Sequence, residues 1–318
     1  MSYPAELKFK ESQVREILSR HAGTDPGLIR PIRWAAKEYG YRNSVTFHVK
    51  HSFKKNSLVK KVVTGFVGRD NQTLVPVQSC HLLDPRLAEI FSASGGKNKE
   101  GRVTFKLSEE GRIIPDSEEI FFRIRLKGES LLVSSRGFFQ NNLAVTELIT
   151  DQVSKWVEEE APEVFFDLYA GVGTFSFLSA KNIPRIVCIE ESPAGFEALK
   201  MNRDERKLIS METLKGRVER DFPEYFRRSG QNKAVIFMDP PRQGIEAKLA
   251  HFIAQKSEAI SVVYLSCDPV TLARDIKIIS SYGRYKVVEV VPFDMFPRTA
   301  HVEVAARFTL LTPPLVNQ

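Results

Sequence analysis

Apolar and polar positions follow two rhythms along this 318-residue chain. In the first part, short segments alternate apolar with polar residues or are rich in β-branched side chains: residues 43–49, 58–67, 74–77, 103–107 and 120–126. Alternation puts one face of a pleated strand on a core and the other in water, so these segments predict strands. Ahead of them, residues 12–21 carry the spacing of a short amphipathic helix. Residues 94–101 (SGGKNKEG) predict a loop. From about residue 138 the rhythm changes. A helix is predicted over 142–160, followed by four apolar runs: VFFDL ending at Leu168, RIVCIE at Glu190, AVIFMD at Asp239 and SVVYLS at Ser266. Helical patterns at 173–181, 193–202, 246–255 and 269–281 separate them.

Strands that alternate with helices of this length imply a parallel sheet with helices on both faces. Two further strands, at 285–291 and 301–308, are joined by residues 292–300. That connection is too short for a helical crossover, so the pair is predicted antiparallel. The expected fold class is α/β: a Rossmann-like sheet of the class I methyltransferase shape, with parallel strands, a terminal antiparallel hairpin and an α+β domain in front. At roughly 100–200 residues per domain the length suits two, expected at 1–130 and 131–318.

Charge sharpens that division. Of the net +7, residues 1–130 hold 23 Lys and Arg against 15 Asp and Glu, and the rest 23 against 24. A basic module joined to a near-neutral one suggests a polyanion as partner, and a solvated basic face is the plain alternative. A hydrophobic fraction of 42% with 27% charged residues supports a packed core and argues against disorder. The three cysteines, Cys80, Cys188 and Cys267, make neither a disulfide framework nor a four-cysteine metal site. The leading residues MSYPAELKFK lack an apolar signal core, and no apolar run approaches about 18 residues. The simplest expectation is a reduced, cytoplasmic protein without membrane spans.

In a doubly wound sheet, ligands sit at the carboxyl ends of the strands, and chemistry-bearing residues collect there. After the first run comes Asp167-Leu-Tyr169-Ala-Gly171-Val-Gly173, whose glycines permit a tight turn and close backbone approach to a ligand. Glu190 ends the next run 23 residues after Asp167, a spacing at which an acid accepts hydrogen bonds from ribose hydroxyls. Ser176 stands where a dinucleotide fingerprint needs its third glycine, which tilts the choice from NAD towards S-adenosylmethionine. Asp239 is held at the rim by Pro240 and Pro241. Cys267, in Ser-Cys-Asp268-Pro269, puts a thiol at a strand tip. A thiol there suits uracil: C5 is too weak a nucleophile for a methyl sulfonium until a thiolate adds at C6. The C5 proton must then leave to a base, and Glu303 is the candidate. Cys188, inside an apolar run, and Cys80 read as small buried hydrophobes.

The segments FFQNN, DLYAGVGTF, DPPRQG, SCDPVTLARD and DMFPRTAHVE together resemble the RNA 5-methyluridine (uracil-C5) methyltransferase family. The resemblance is strong over about 136–308 and weaker in YGYRNSVTFHV and VPVQSCHLLDP. It implies Cys267 as nucleophile, Glu303 as base, and Gln140, Tyr169, Glu190 and Asp239 lining the donor pocket. It also implies that the leading part binds RNA. Three features depart from the family: there is no room for its small RNA-binding β-barrel, no cysteine set for its iron–sulfur cluster, and Asp268 replaces the usual Asn after the nucleophile.

A target uridine must be flipped out or lie in a loop to reach a thiol in a crevice. Lys50, Lys54, Lys55, Lys60 and Lys61 are the candidate phosphate contacts, with a solvated hairpin as the structural alternative, and Phe138 and Phe139 are candidates for base stacking or core packing. Ribosomal RNA is expected ahead of transfer RNA, with no metal. The competing functions are a cytosine-C5 or amine RNA methyltransferase of the same fold, and a non-enzymatic RNA-binding assembly factor.

Overall fold

The computed structural model describes residues 1–53, 60–68, 70, 72–93, 100–228 and 233–311. In chain order these form α1 (Tyr3–Ala22), β1 (Ser44–Phe53), β2 (Lys60–Val67), β3 (Leu74–Pro76), α2 (Pro85–Ala93), β4 (Gly101–Leu107), β5 (Ile113–Pro115), β6 (Phe121–Leu126) and β7 (Glu129–Ser134). Then come α3 (Leu143–Glu160), β8 (Val164–Leu168), α4 (Thr174–Ser179), β9 (Arg185–Glu190), α5 (Pro193–Glu205), β10 (Met211–Lys215) and α6 (Val218–Arg228). The chain closes with β11 (Ala234–Met238), α7 (Ala247–Lys256), β12 (Ser261–Ser266), α8 (Pro269–Ser280), β13 (Tyr285–Phe293) and β14 (Glu303–Leu310).

Two compact units result. One is residues 37–143; the other joins 1–36 to 144–318. This differs from the linear division at 130/131 for a physical reason. Helix α1 turns Tyr3, Leu7, Lys10, Val14 and Leu18 inward, and its apolar members join the core of the C-terminal sheet. The β6–β7 hairpin stays with residues 37–143, where Glu109 N–H donates to the Arg123 carbonyl at 2.7 Å. With these boundaries the charge separates completely: residues 37–143 hold 18 Lys and Arg against 11 Asp and Glu, and the other unit 28 of each.

The 37–143 unit is built on a five-stranded antiparallel sheet in the order β3-β2-β1-β4-β5. Strand β1 shows why: Val45, Phe47 and Val49 are buried, and the residues between them are not. They pack with Leu83, Leu87 and Leu107.

The other unit is a seven-stranded sheet in the order β10-β9-β8-β11-β12-β14-β13. The strands from β10 to β12 are parallel and β14 and β13 antiparallel, so the α/β fold class is the one the alternation predicts. The central strands are buried on both faces, and so read as unbroken apolar runs. Residues 29–33 run along the outer edge of β13: Arg30 and Arg33 N–H donate to the Val290 and Pro292 carbonyls, each at 2.8 Å. Among the described residues, no helix is long and apolar enough to cross a membrane.

Candidate active site

Register decides which side chains meet at the carboxyl end of the sheet. Strand β12 pairs with β14 as far as Ser266↔Val304, so Cys267 leaves β12 at the end where Glu303 begins β14. The Glu303 charge acts on the Cys267 thiol, so the two groups are close neighbours. Asp239 follows β11, the neighbour of β12, and its N–H donates to the Leu168 carbonyl. The electrostatics agree. Burial, then the charges of Glu303 and Asp239, push the half-buried Cys267 thiol up to about 11, while Arg242 opposes them. Glu303 is fully buried, and burial followed by the Asp239 charge raises its carboxyl well above the usual range. Thiol and carboxylates therefore form one interacting cluster in which each negative charge disfavours the others.

Asp268 does not join it. Its carboxylate caps α8, with Oδ1 accepting from Val270 N–H at 2.9 Å and Thr271 N–H at 3.2 Å, and Oδ2 lies 3.6 Å from Arg242 Nε. The Asp after Cys267 is thus committed to a helix N-cap, a task Asn also performs.

The glycine turn follows β8 and Glu190 ends the neighbouring parallel strand β9, both at carboxyl ends. Glu190 Oε2 accepts from Gly171 N–H and Oε1 from Ser192 N–H, both at 2.7 Å, while burial raises its carboxyl above the ordinary range. The two glycines have different jobs. Gly171 has φ +56°, and a Cβ there would meet nothing within 4 Å, so the backbone faces open space. A Cβ on Gly173 would sit 2.5 Å from Phe177 and 2.7 Å from Leu199, so that glycine serves packing. Tyr169 is held at φ +62°, a costly conformation for a bulky residue, and its hydroxyl donates to Glu219 Oε1 at 2.6 Å. Asp167, by contrast, is buried, with Oδ2 accepting from Ser176 Oγ (2.6 Å) and N–H (3.2 Å); burial pushes it up to about 7. It braces the turn from below. Open backbone at Gly171, a carboxylate at the β9 tip and Asp239 after β11, on the other side of β8, together fit a donor with a ribose and a cationic centre.

The segment leading to Glu303 is clamped by α1. Asp294, fully buried, accepts from Tyr3 Oη and Lys10 Nζ, each at 2.7 Å. Lys10 also donates to the Phe296 carbonyl at 3.1 Å and pairs with Glu6 at 2.9 Å. Glu6 Oε1 accepts from the N–H of Arg298, whose φ is +63°.

The remaining predicted residues belong to the 37–143 unit. Gln140 belongs to the 37–143 unit, where it is buried and its carbonyl accepts from Asn43 Nδ2 at 3.0 Å. Of the two phenylalanines before it, Phe139 is buried and Phe138 is 68% exposed, so only Phe138 is open to stacking. Lys50 is exposed on β1. Lys60 and Lys61 lie in β2, whereas Lys54 and Lys55 fall outside the described residues. Buried Lys106, which the sequence did not single out, donates to the Ser134 carbonyl at 3.0 Å and to the Gly137 carbonyl, fixing the turn before Phe138. Arg242, Glu219 and Lys10 are further residues that sequence reasoning missed. Lys10 left a signal, because it occupies an apolar-stripe position of α1.

Known proteins match this arrangement. The profile of the tRNA (uracil-5-)-methyltransferase family covers residues 107–309. The chain belongs to that family. It is therefore an S-adenosylmethionine-dependent RNA methyltransferase of the uracil-5 type. An uncharacterized RNA methyltransferase of Clostridium acetobutylicum is 28% identical over 95% of this chain and 78% of its own length. One from Oceanobacillus iheyensis is 27% identical over 98% and 80%. Among solved structures, the Pyrococcus abyssi tRNA (uracil-54, C5)-methyltransferase in complex with S-adenosyl-L-homocysteine superposes with a TM-score of 0.71 at 20% identity, covering 97% of this chain and 84% of that one, which shows a shared fold. Among the described residues, no group of three or more His, Cys, Asp or Glu is placed to hold a metal ion.

Proposed function

We propose that this uracil-5 methyltransferase works through a covalent adduct of Cys267 with C6 of a uridine in ribosomal or transfer RNA, in the reducing cytoplasm. The observation that supports this reading is that Cys267, buried Glu303 and Asp239 interact electrostatically at the strand ends. Cys267 sulfur adds to C6, which makes C5 an enolate carbon. C5 then attacks the donor methyl and displaces neutral S-adenosylhomocysteine. Glu303, as a carboxylate, takes the C5 proton, the C6–S bond breaks, and the 5,6 double bond returns with the thiolate released. Tyr169, Gly171 and Glu190 hold the donor, with Gln140 assigned there by family resemblance. Phosphate contacts fall to the basic 37–143 unit and Lys50 on it.

The arrangement also constrains when the thiolate forms. Burial and two carboxylates keep Cys267 protonated in the free protein. The Asp239 charge is offset when a sulfonium cation is bound beside it, so ionisation is favoured only once the donor is in place.

The test is direct. The protein is incubated with labelled donor and with ribosomal or transfer RNA lacking the modification, and nucleosides and positions are mapped. 5-Methyluridine in one class identifies the substrate, and its absence from every RNA tried overturns the uracil reading. Cys267→Ala should abolish product. Glu303→Gln should trap protein crosslinked to methylated RNA, and a freely turning-over Glu303→Gln enzyme would remove Glu303 from its role.

A further inference from the structure

A cavity of about 480 Å³ opens beside the edge of the seven-stranded sheet, walled by Arg30, Ile32, Arg33, Trp34, Gln152 and Val291. Nothing in the methyl transfer chemistry uses it, and its lining is not that of a core defect. Trp34 is 52% exposed, although a large aromatic on a monomer surface ordinarily packs against something. The two arginines differ. Arg30 is ion-paired with Glu289 at 2.8 Å. Arg33 meets no carboxylate among the described residues. Its guanidinium donates to Gln152 Oε1 at 3.2 Å and lies 5.7 Å from the Phe293 ring centre. Gln152 is buried, and its Nε2 has no hydrogen-bond partner. An unmatched buried amide donor is destabilising and calls for an acceptor. An aromatic face, a cation without a counter-ion and a donor without an acceptor together describe what a nucleotide supplies: a π-face, a phosphate and a carbonyl oxygen.

The position fits as well. Phe293, under the Arg33 guanidinium, pairs in register with Glu303 and so shares its face of the sheet. The cavity thus lies one strand out from the base of the reaction, on the same side. We propose that it is a second RNA subsite, which seats a nucleotide neighbouring the target uridine, its base stacked on Trp34, its phosphate on Arg33, and a base oxygen reaching Gln152 as Arg33 moves to the phosphate. This rests on the reading of the protein as an RNA methyltransferase, and its failure is separable from failure of that reading.

The chain carries its own reporter. Its two tryptophans are exposed Trp34 and fully buried Trp156. The full protein is titrated with a uridine-containing RNA stem–loop while tryptophan fluorescence is followed, with uridine monophosphate in a parallel arm. Saturable quenching by the RNA is expected, lost in Trp34→Phe even though that variant still binds. Trp34→Ala and Arg33→Met should weaken RNA binding by on the order of tenfold and leave donor binding unchanged. Unquenched fluorescence at RNA concentrations that support 5-methyluridine formation overturns the subsite and leaves the enzyme reading intact. Quenching by the free mononucleotide at the same concentration as RNA overturns it too, because the cavity would then be a small-molecule site. Should Trp34→Ala fail to fold, Trp34→Phe still decides the question, since a quench that survives in it cannot come from stacking on Trp34.

Discussion

Cys267 sits among groups that oppose its ionisation, so the free protein should keep this proposed nucleophile as a thiol. Alkylation of Cys267, followed site by site with mass spectrometry, should rise with pH to a midpoint near 11. Removing either neighbouring charge, in Glu303→Gln or Asp239→Asn, should lower that midpoint. Asp268→Asn should leave it in place, because that carboxylate is held in the α8 cap. A cationic donor analogue should lower the midpoint more than neutral S-adenosylhomocysteine does, and equal midpoints with the two would remove the sulfonium from the account of activation. Asp167 offers a companion test on stability. Its folded pKa of about 7 lies above its ordinary 3.8, so the native state holds the extra proton between those values. The stability it contributes is complete below about pH 4 and is lost as pH rises through about 7, on the order of 4 kcal/mol for a shift of this size. Asp167→Asn should flatten the pH dependence of melting in that window, and an unchanged profile would mean that the carboxylate is not protonated in the fold.

At the scale of elements, α1 acts on chemistry it does not touch. It holds Asp294 by Tyr3 and Lys10, and the segment so held leads to Glu303. Lys10→Met strands a buried carboxylate, which typically costs about 3–5 kcal/mol. A sharply lower melting temperature is expected, and Asp294→Asn added to it should recover most of the loss. In the assay, Lys10→Met should slow release more than methylation, so crosslinked RNA accumulates while donor affinity holds. A uniform loss of every activity would reduce α1 to scaffolding. The same elements show what sequence can reveal. VFFDL, AVIFM and SVVYLS are legible because burial on both faces leaves no polar gap. β10 escapes notice because METLK is a half-covered edge strand, and α6 because its surface is charged and Pro223 interrupts it. The start of α1 is hidden by Pro4 and by Lys10, a cation on an apolar stripe. In the site, strand tips expose Glu190, Asp239 and Cys267. The meeting of Cys267 with Glu303 depends on β14 returning beside β12, which no local pattern encodes. Tyr169 with Glu219 and Lys10 with Asp294 are likewise long-range meetings.

For the whole molecule, the division of labour is written in charge. The unit of residues 37–143 carries the entire net +7, and the unit bearing Cys267 and Glu303 is neutral. The proposed function then has a polyanion attracted by one unit and transformed by the other. Counterion release makes such attraction salt-dependent, with a log–log slope of about −0.7 per phosphate neutralised on a single strand. RNA affinity should fall at least about tenfold between roughly 50 and 200 mM salt, while affinity for the donor, whose proposed site lies on the neutral unit, should barely move. Charge variants locate the effect. Lys50, exposed on β1, lies in the basic unit, and its counterpart in the neutral one is exposed Lys256 on α7. Lys50→Glu should flatten the salt slope by about one phosphate contact or more and leave the donor constant alone. Lys256→Glu should leave the slope as it is. If instead both variants shift it equally, attraction comes from overall charge and the basic unit has no special hold on RNA.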